Sequence, residues 1–378
     1  MKNIVFGITS LTLGGAERVL VDIVNDLKDQ FNITIFLLYA NGEFEKSIDK
    51  KVKLIHLCNK SYESLNKLEK LKMVFKCLFL RKKIYNKYIY GKFEKEISFL
   101  EGPIMRIFST YNKNVEKIAW IHNDISKVYG NSLRGKLKIK LDEKMYKNYN
   151  EIVFVSEDNK NAFEKTYPSI INENKIKREV IYNYINKDNV INKANEKPEM
   201  IFDNNYFNIL TITRLVEQKA IDRLIKIHAR LIRNGIVHKV YVVGDGPLKE
   251  ELQALIKSLN VSETFILLGK KENPYTFLKQ CDLFVLLSYF EGYGMVLEEA
   301  KILNKKIIIT DTAAREAVNG YNKAIILENE EEKIYQGLEK IIKSDLEKNE
   351  TIDKSEKQEE FIYNNSNIIN EIQKLVGE

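Results

Sequence analysis

Cysteine is scarce in this chain. Cys58, Cys77 and Cys281 are the only three in 378 residues, widely spaced and odd in number. That argues against a disulfide framework or a cysteine-based zinc site and fits a reducing cytosol. The four histidines are scattered, with no His-Glu-x-x-His pattern to hold a metal. No apolar run approaches the ~18 residues of a membrane span. Met1 to Gly7 lack the apolar core and small-residue cleavage site of a signal peptide and read as a strand. Hydrophobic residues nonetheless make up 44% of the chain, too many for a disordered protein. At roughly 100–200 residues per domain, the length favours two domains.

The strand-like segments are short, apolar and β-branched. In the first half they are Asn3–Ile8, Asn32–Tyr39, Lys53–Leu57, Glu96–Leu100, Lys117–His122, Glu151–Ser156 and Glu179–Asn183. In the second they are Asn208–Arg214, Lys239–Gly244, Thr264–Gly269, Asp282–Ser288, Lys305–Thr310 and Lys323–Leu327. Continuous runs such as Leu283 to Leu287 suit strands buried on both faces of a parallel sheet. Helical patterns separate them, which predicts a doubly wound α/β fold. The best break is the polar stretch around Asn186–Asn205. The expected layout is an N-terminal Rossmann-like domain over 1–190, a linker over 191–205 and a second Rossmann-like domain over 206–355. A C-terminal helix over 356–378 could pack back on the first domain.

Ligands of open α/β sheets bind beyond the carboxyl ends of strands. The first strand exits into Gly14-Gly15-Ala16-Glu17-Arg18, where paired glycines let backbone approach a ligand and a helix start favours an anion. It is not the Gly-x-Gly-x-x-Gly dinucleotide fingerprint, so a dehydrogenase is disfavoured. The first strand of the second half exits at Arg214 and Lys219, two cations suited to a diphosphate, although solvent is the commoner fate of lysine and arginine. The next exits at Val243-Gly244-Asp245-Gly246-Pro247, by itself a turn. The richest stretch runs from Leu287 to Ala300. There a buried strand ends in Gly292-Tyr293-Gly294 and a helix opens at Met295, with Glu291 and Glu299 eight residues apart. Its first N–H groups would face an anion, and a nearby carboxylate could accept bonds from sugar hydroxyls. Glu298 reads as a solvated helix charge.

These motifs, in this order, resemble family 4 glycosyltransferases over nearly the whole chain, in particular bacterial capsule, O-antigen and exopolysaccharide enzymes. The resemblance implies the GT-B fold, two facing Rossmann-like domains with an interdomain cleft, and a retaining, metal-independent hexosyltransferase. It implies a nucleotide-sugar donor, with a UDP-sugar expected, and a glycan or lipid-linked glycan acceptor. Arg214 and Lys219 would hold the diphosphate, Glu291 the donor sugar and Glu299 the ribose. Gly292, Tyr293, Gly294 and Met295 would offer backbone groups to sugar and phosphates. Lys270 would frame the base, Glu316 would occupy a donor-side helix start, and Gly15 would line the cleft. His122 matches a strand-end histidine that faces the donor sugar. A lone histidine after an apolar strand also commonly serves only as hydrogen-bonded structure. No Asp-x-Asp occurs, so the metal-binding motif of the other major glycosyltransferase fold is missing. A nucleotide-sugar 2-epimerase of the same fold and a non-catalytic partner subunit are the rival readings.

Several positions depart from the family pattern. Thr213, Ala220 and Ala313-Ala314 stand where glycines are frequent, and Leu287 replaces a proline. Alanine gives up glycine's ease at positive φ. Glu101-Gly102-Pro103 follows a strand as either a turn or part of an acceptor surface.

The formal net charge of +7 is unevenly spread. Residues 60–95 hold eleven Lys/Arg against three acids, 131–150 six against two, and 327–360 six lysines against twelve acids. No nucleic-acid motif accompanies the basic segments. Leu65–Leu80 places Leu65, Leu68, Leu71, Val74, Phe75, Leu78 and Phe79 at helical spacing among lysines, and leads into Arg81-Lys82-Lys83. Such a helix lies on an anionic membrane or packs its apolar face on the core. The charge distribution favours an anionic membrane, met peripherally through residues 65–95 of a cytoplasmic protein, or a lipid-phosphate acceptor.

Overall fold

The structure is a computed structural model that describes residues 1–130, 132–172, 175–351 and 365–377. The chain divides into two compact units, residues 1–185 with the last helix, and the remainder from Asn186.

The first unit holds strands β1 (Asn3–Ile8), β2 (Asn32–Tyr39), β3 (Lys53–Cys58), β4 (Lys95–Ser98), β5 (Glu116–Ile121), β6 (Glu151–Phe154) and β7 (Lys177–Val180). They form one parallel sheet in the order β3-β2-β1-β4-β5-β6-β7. Its interior strand β1 pairs Ile4 with Ile33 on one side and with Lys95 on the other. The helices are α1 (Gly15–Leu27), α2 (Lys67–Phe79), α3 (Arg81–Tyr88), α4 (Pro103–Phe108), α5 (Ile125–Tyr129), α6 (Leu133–Tyr146), α7 (Glu157–Thr166) and α8 (Pro168–Ile171). Right-handed crossovers put α1 on one face of the sheet and α2 to α7 on the other. Met73, Cys77, Tyr85, Phe108, Met145 and Phe163 from that second helix layer share one core.

The second unit holds α9 (Lys187–Ala194), α10 (Ile221–Arg233), α11 (Lys249–Ser258), α12 (Tyr275–Gln280), α13 (Met295–Ile302) and α14 (Glu331–Thr351). Its strands are β8 (Phe207–Ile212), β9 (His238–Val243), β10 (Phe265–Gly269), β11 (Leu283–Leu286), β12 (Lys306–Thr310) and β13 (Ala324–Leu327), in the parallel order β10-β9-β8-β11-β12-β13. All thirteen apolar runs form strands. β7 ends at Val180, three residues before the expected Asn183, as an edge strand with alternating exposure.

Two expectations need correction. The segment expected as a linker from 191 begins inside α9. The Asn186 side chain caps that helix through Asn189 N, and Val190 and Ala194 bury one face. α9 belongs to the second unit, whose boundary falls after Ile185. The last helix, α15 (Ser366–Gly377), is grouped with the first unit. Lys2 and Lys95 donate to the carbonyls of Gly377 and Leu375, and Asn365 to that of Ile185. Cations suit a helix C-terminus. The expected boundary at 355/356 lies outside the described residues. The second correction is to continuously apolar strands. Lys117 of β5 is fully enclosed, its Nζ donating to Glu96 Oε2 at 2.7 Å, the Phe108 carbonyl at 2.7 Å and Tyr85 at 3.1 Å. Burial of both charges is tolerated because each is paired and hydrogen-bonded.

α2 starts at a capping box in which Asn66 and Glu69 exchange backbone bonds. Only Leu65, Met73 and Cys77 of this segment are buried, whereas Leu68, Leu71, Val74, Phe75 and Phe79 are exposed. Core packing therefore accounts for a minority of its apolar residues. Among the described residues, no helix is long and apolar enough to cross a membrane.

Candidate active site

In the second sheet the chain runs from β8 outward through β9 and β10, then returns to place β11 on the other side of β8. The exits of β8 and β11 thus flank a topological switch point, where loops diverge and leave room for a ligand. Arg214 and Lys219 lie beyond β8, and Glu291 to Met295 beyond β11.

Arg214 is exposed. Lys219 ends a short 3-10 helix, Glu217–Lys219, and its Nζ bonds both carboxylate oxygens of Glu291, that to Oε2 at 2.8 Å. Those bonds use two of its three donors and leave one for a phosphate oxygen. The loops are also joined by Gln218, whose side chain donates to the Phe290 carbonyl at 2.9 Å and whose own carbonyl accepts from Tyr289 N at 2.9 Å. Ala220, where alanine was expected to forgo positive φ, adopts φ 50° and starts α10. Backbone bonds on either side outweigh a left-handed cost of roughly 1–2 kcal/mol.

The glycine turn after β9 is more than a turn. A Cβ on Gly244 (φ 144°) would stand 1.8 Å from the Thr213 carbonyl oxygen, and one on Gly246 2.4 Å from that of Leu215. This close approach lets Thr213 N reach Val243 O and Leu215 N reach Asp245 O, at 2.9 and 3.0 Å. The turn is a backbone brace for the Arg214 loop.

Gly294 precedes α13 at φ 74°. The first N–H groups of α13 lack intrahelical partners by construction and carry the positive end of its dipole. Glu299, nearly buried, accepts from Tyr275 OH of α12 at 2.8 Å. Glu298, read as solvated, is instead enclosed. It accepts from Tyr293 OH at 2.7 Å and from Lys301 Nζ, which also holds the Ala317 carbonyl at 2.7 Å. A neighbouring 3-10 helix, Ala313–Val318, covers that side of α13 and carries Glu316, half-buried, so the expected helix start is a 3-10 turn. Lys270 is exposed at the end of β10. The Asp245 carboxyl is held below the usual range chiefly by the Gly246 N–H and then by Lys249, with the Lys270 charge contributing least.

Sequence reasoning missed the residues that hold these loops. Buried Arg223 of α10 donates to the Leu287 carbonyl and to Asn329 Oδ1, and lies 4.6 Å from the Tyr289 ring centroid. Asn329 donates to the Tyr289 carbonyl at 2.9 Å, and Thr310 to that of Ser288 at 2.7 Å. Arg223 follows Lys219 by one helical turn, the only hint available. Asn329 lies 106 residues from Arg223.

The first unit presents its own residues at strand exits. Gly15 is exposed at the first position of α1, beyond β1. His122, beyond β5, is buried against Phe99 at 4.7 Å, with Nε2 lacking a partner among the described residues. Burial pushes its pKa down to about 3, so the ring is neutral near neutral pH. Glu101 accepts from the backbone N of His122 and Asn123 at 2.5 and 2.6 Å. The Glu101 turn therefore positions the His122 loop. Burial raises its pKa, and those N–H bonds oppose the rise.

Residues 192–364 match the model of the glycosyl transferases group 1 family. Across 91% of both chains, the sequence is 30% identical to the N-acetylgalactosamine-N,N'-diacetylbacillosaminyl-diphospho-undecaprenol 4-alpha-N-acetylgalactosaminyltransferase of Campylobacter jejuni. The chain belongs to the group 1 glycosyltransferases. Solved structures place this glycosyltransferase in the GT-B fold. Anabaena HepE in complex with UDP-glucose superposes with a TM-score of 0.69 at 18% identity, over 93% of this chain and 91% of that one. TarM gives 0.72 at 13% identity, over 100% and 99%. The glycosyltransferase is a hexosyltransferase-type enzyme with two Rossmann-like units.

Proposed function

We propose that this glycosyltransferase moves a sugar, with retention at C1, from a UDP-sugar to a glycan or lipid-linked glycan acceptor during surface polysaccharide synthesis. The observation that carries it is the Lys219–Glu291 pair beside the start of α13. A cation, a carboxylate and unpaired helix N–H groups converge there, the set needed for a diphosphate with an attached sugar. Arg214, Lys219 and those N–H groups would stabilise the diphosphate as the C1–phosphate bond breaks. Glu291 would accept from sugar hydroxyls and Glu299, oriented by Tyr275, from the ribose. Gly15 and Glu316 would contribute to donor binding, Lys270 would meet the base, and neutral His122 would hydrogen-bond the sugar. No metal cofactor is needed on this reading, and a front-face displacement fits the lack of a further placed nucleophile. The C. jejuni relative carries a diphospho-undecaprenol acceptor in its name, and HepE was solved with UDP-glucose; both support the donor and acceptor classes. The acceptor class and the exposed apolar face of α2 support a cytoplasmic enzyme resting on an anionic membrane through residues 65–95.

The test is a panel of UDP-sugars with and without lipid-linked acceptor, the product anomer read by NMR. Transfer with retention, weakened together with UDP binding in Arg214→Ala, is expected. Wild-type rates in that variant would remove the diphosphate role. Isomerised donor without transfer would point to the epimerase instead.

A further inference from the structure

The basic excess over residues 131–150 has no place in donor binding. It lies on α6, and the structure gives it a form. Leu133, Leu137 and Leu141 follow one another at four-residue spacing and are 81, 69 and 41% exposed. The opposite side of the helix is buried through Gly135, Asp142, Met145 and Tyr146. The leucine stripe therefore points away from the sheet. Arg134, Lys136, Lys138, Lys140 and Lys144 are all exposed around it. The two acids of the helix are occupied elsewhere. Asp142 is buried against Arg106 at 2.7 Å, and Glu143 accepts from Ser169 at 2.6 Å.

α2 repeats the arrangement. Leu68, Leu71, Phe75 and Phe79 form a stripe, 54 to 70% exposed, opposite the buried Met73 and Cys77. Lys67, Lys72 and Lys76 are exposed beside it. Its one acid, Glu69, is engaged by the cap and by Lys60. The two helices share one layer on the same face of the first sheet, and both pack against α4. Arg81, at the joint after α2, ties them. Its Nη1 donates to Met145 Sδ of α6 at 3.0 Å and to Ser109 Oγ at 3.1 Å.

We propose that α2 and α6 together form a two-helix docking face for an anionic lipid bilayer. Each apolar stripe would sink into the headgroup boundary while the lysines meet lipid phosphates. Apolar side chains ringed by cations, with the acids of both helices engaged by cations, a helix cap or a hydroxyl, match that surface and no neutral one. A second copy of this chain fits less well, because self-association would press two cationic rims together. The inference rests on the reading that residues 65–95 meet a membrane and extends it to a second helix, with different residues at stake.

The full chain would be sedimented with phosphatidylcholine vesicles, with and without about 30% phosphatidylglycerol. We expect binding to the anionic vesicles only, falling as salt rises. L133S/L137S and F75S/F79S should each weaken it by about tenfold or more. All four positions are exposed, so the variants should keep the circular dichroism and UDP affinity of the wild type. K138Q/K140Q/K144Q should reduce the preference for anionic lipid. Wild-type vesicle binding by L133S/L137S would overturn the two-helix face while leaving donor transfer and α2 docking in place. Absence of vesicle binding would overturn docking by both helices, and a concentration-dependent dimer abolished by the same substitutions would assign the face to a second copy of the chain; donor transfer would stand in either case.

Discussion

Lys219→Ala tests the donor site at its most connected point. The lysine and glutamate side chains of the pair are 14 and 6% exposed, too enclosed for the screening that weakens surface pairs. Removing one partner of a buried pair costs about 3–5 kcal/mol, mostly for the charge left behind. Gln218 stands 3.4 Å from Glu291 Oε2 and recovers part of that, so the lower end applies. At 2–4 °C per kcal/mol for a unit of roughly 150–250 residues, a loss of about 3 kcal/mol lowers Tm by roughly 6–12 °C. The diphosphate also loses a charge-assisted bond of about 1.5–3 kcal/mol, or roughly 10–150-fold in UDP Kd. Thermal unfolding and calorimetric titration with UDP measure the two effects. The double variant K219A/E291Q separates them. With the stranded carboxylate neutralised, stability should return by about 1 kcal/mol or more while UDP binding stays weak. Lys219→Ala with a Tm within about 1 °C of wild type and an unchanged UDP Kd would refute the reasoning.

Three further predictions concern the frame. Gly244→Ala should lower Tm and weaken UDP binding together, because the new methyl meets the Thr213 carbonyl and must displace the Arg214 loop; unaltered UDP affinity would show that the brace is dispensable. Lys117→Ala should destabilise the first unit by about 3–5 kcal/mol by stranding buried Glu96, seen in urea unfolding, whereas Lys117→Ala/Glu96→Gln should recover part of the loss. Acid should destabilise the protein through His228 and His238, bonded to each other at 2.9 Å and pushed by burial down to about 3 and about 4. The unfolded chain binds protons below pH ~6.5 that the native state refuses until about 3–4, so stability falls as pH drops through that window. Glu151, raised to about 7 by burial, acts oppositely. The comparison is therefore with H228Q/H238Q, whose stability should fall less between pH 7 and 5.

Much of the fold was legible because parallel strands buried on both faces leave apolar runs that alternation cannot imitate. All thirteen runs were found, and the polar break near Asn186 fell close to the unit boundary. What the polarity of that break concealed was a cap and two apolar residues, enough for α9. At the donor site, Arg214, Lys219, Glu291, Gly294 and Glu299 were legible because the switch point gathers the exits of β8 and β11, and their motifs mark those exits. Glu298 was misread because a carboxylate's ordinary fate on a helix is solvent. Nothing local announces that Tyr293 and Lys301 enclose it. Arg223, Tyr275 and Asn329 left almost no signal, since each acts on a partner distant in sequence.

Local preferences suffice for strand, helix and turn, and strand order converts them into a place for chemistry. The doubly wound class, the loops that carry charge and the uneven distribution of that charge follow from the order of residues alone. Which charges meet, as Lys219 meets Glu291 across 72 residues, depends on how the chain folds. The fold likewise makes Gly244 a brace for the Arg214 loop and turns the stripes of α2 and α6 outward. Burial and pairing arise from long-range packing, and periodicity along one helix cannot reveal which of its two faces the core will take.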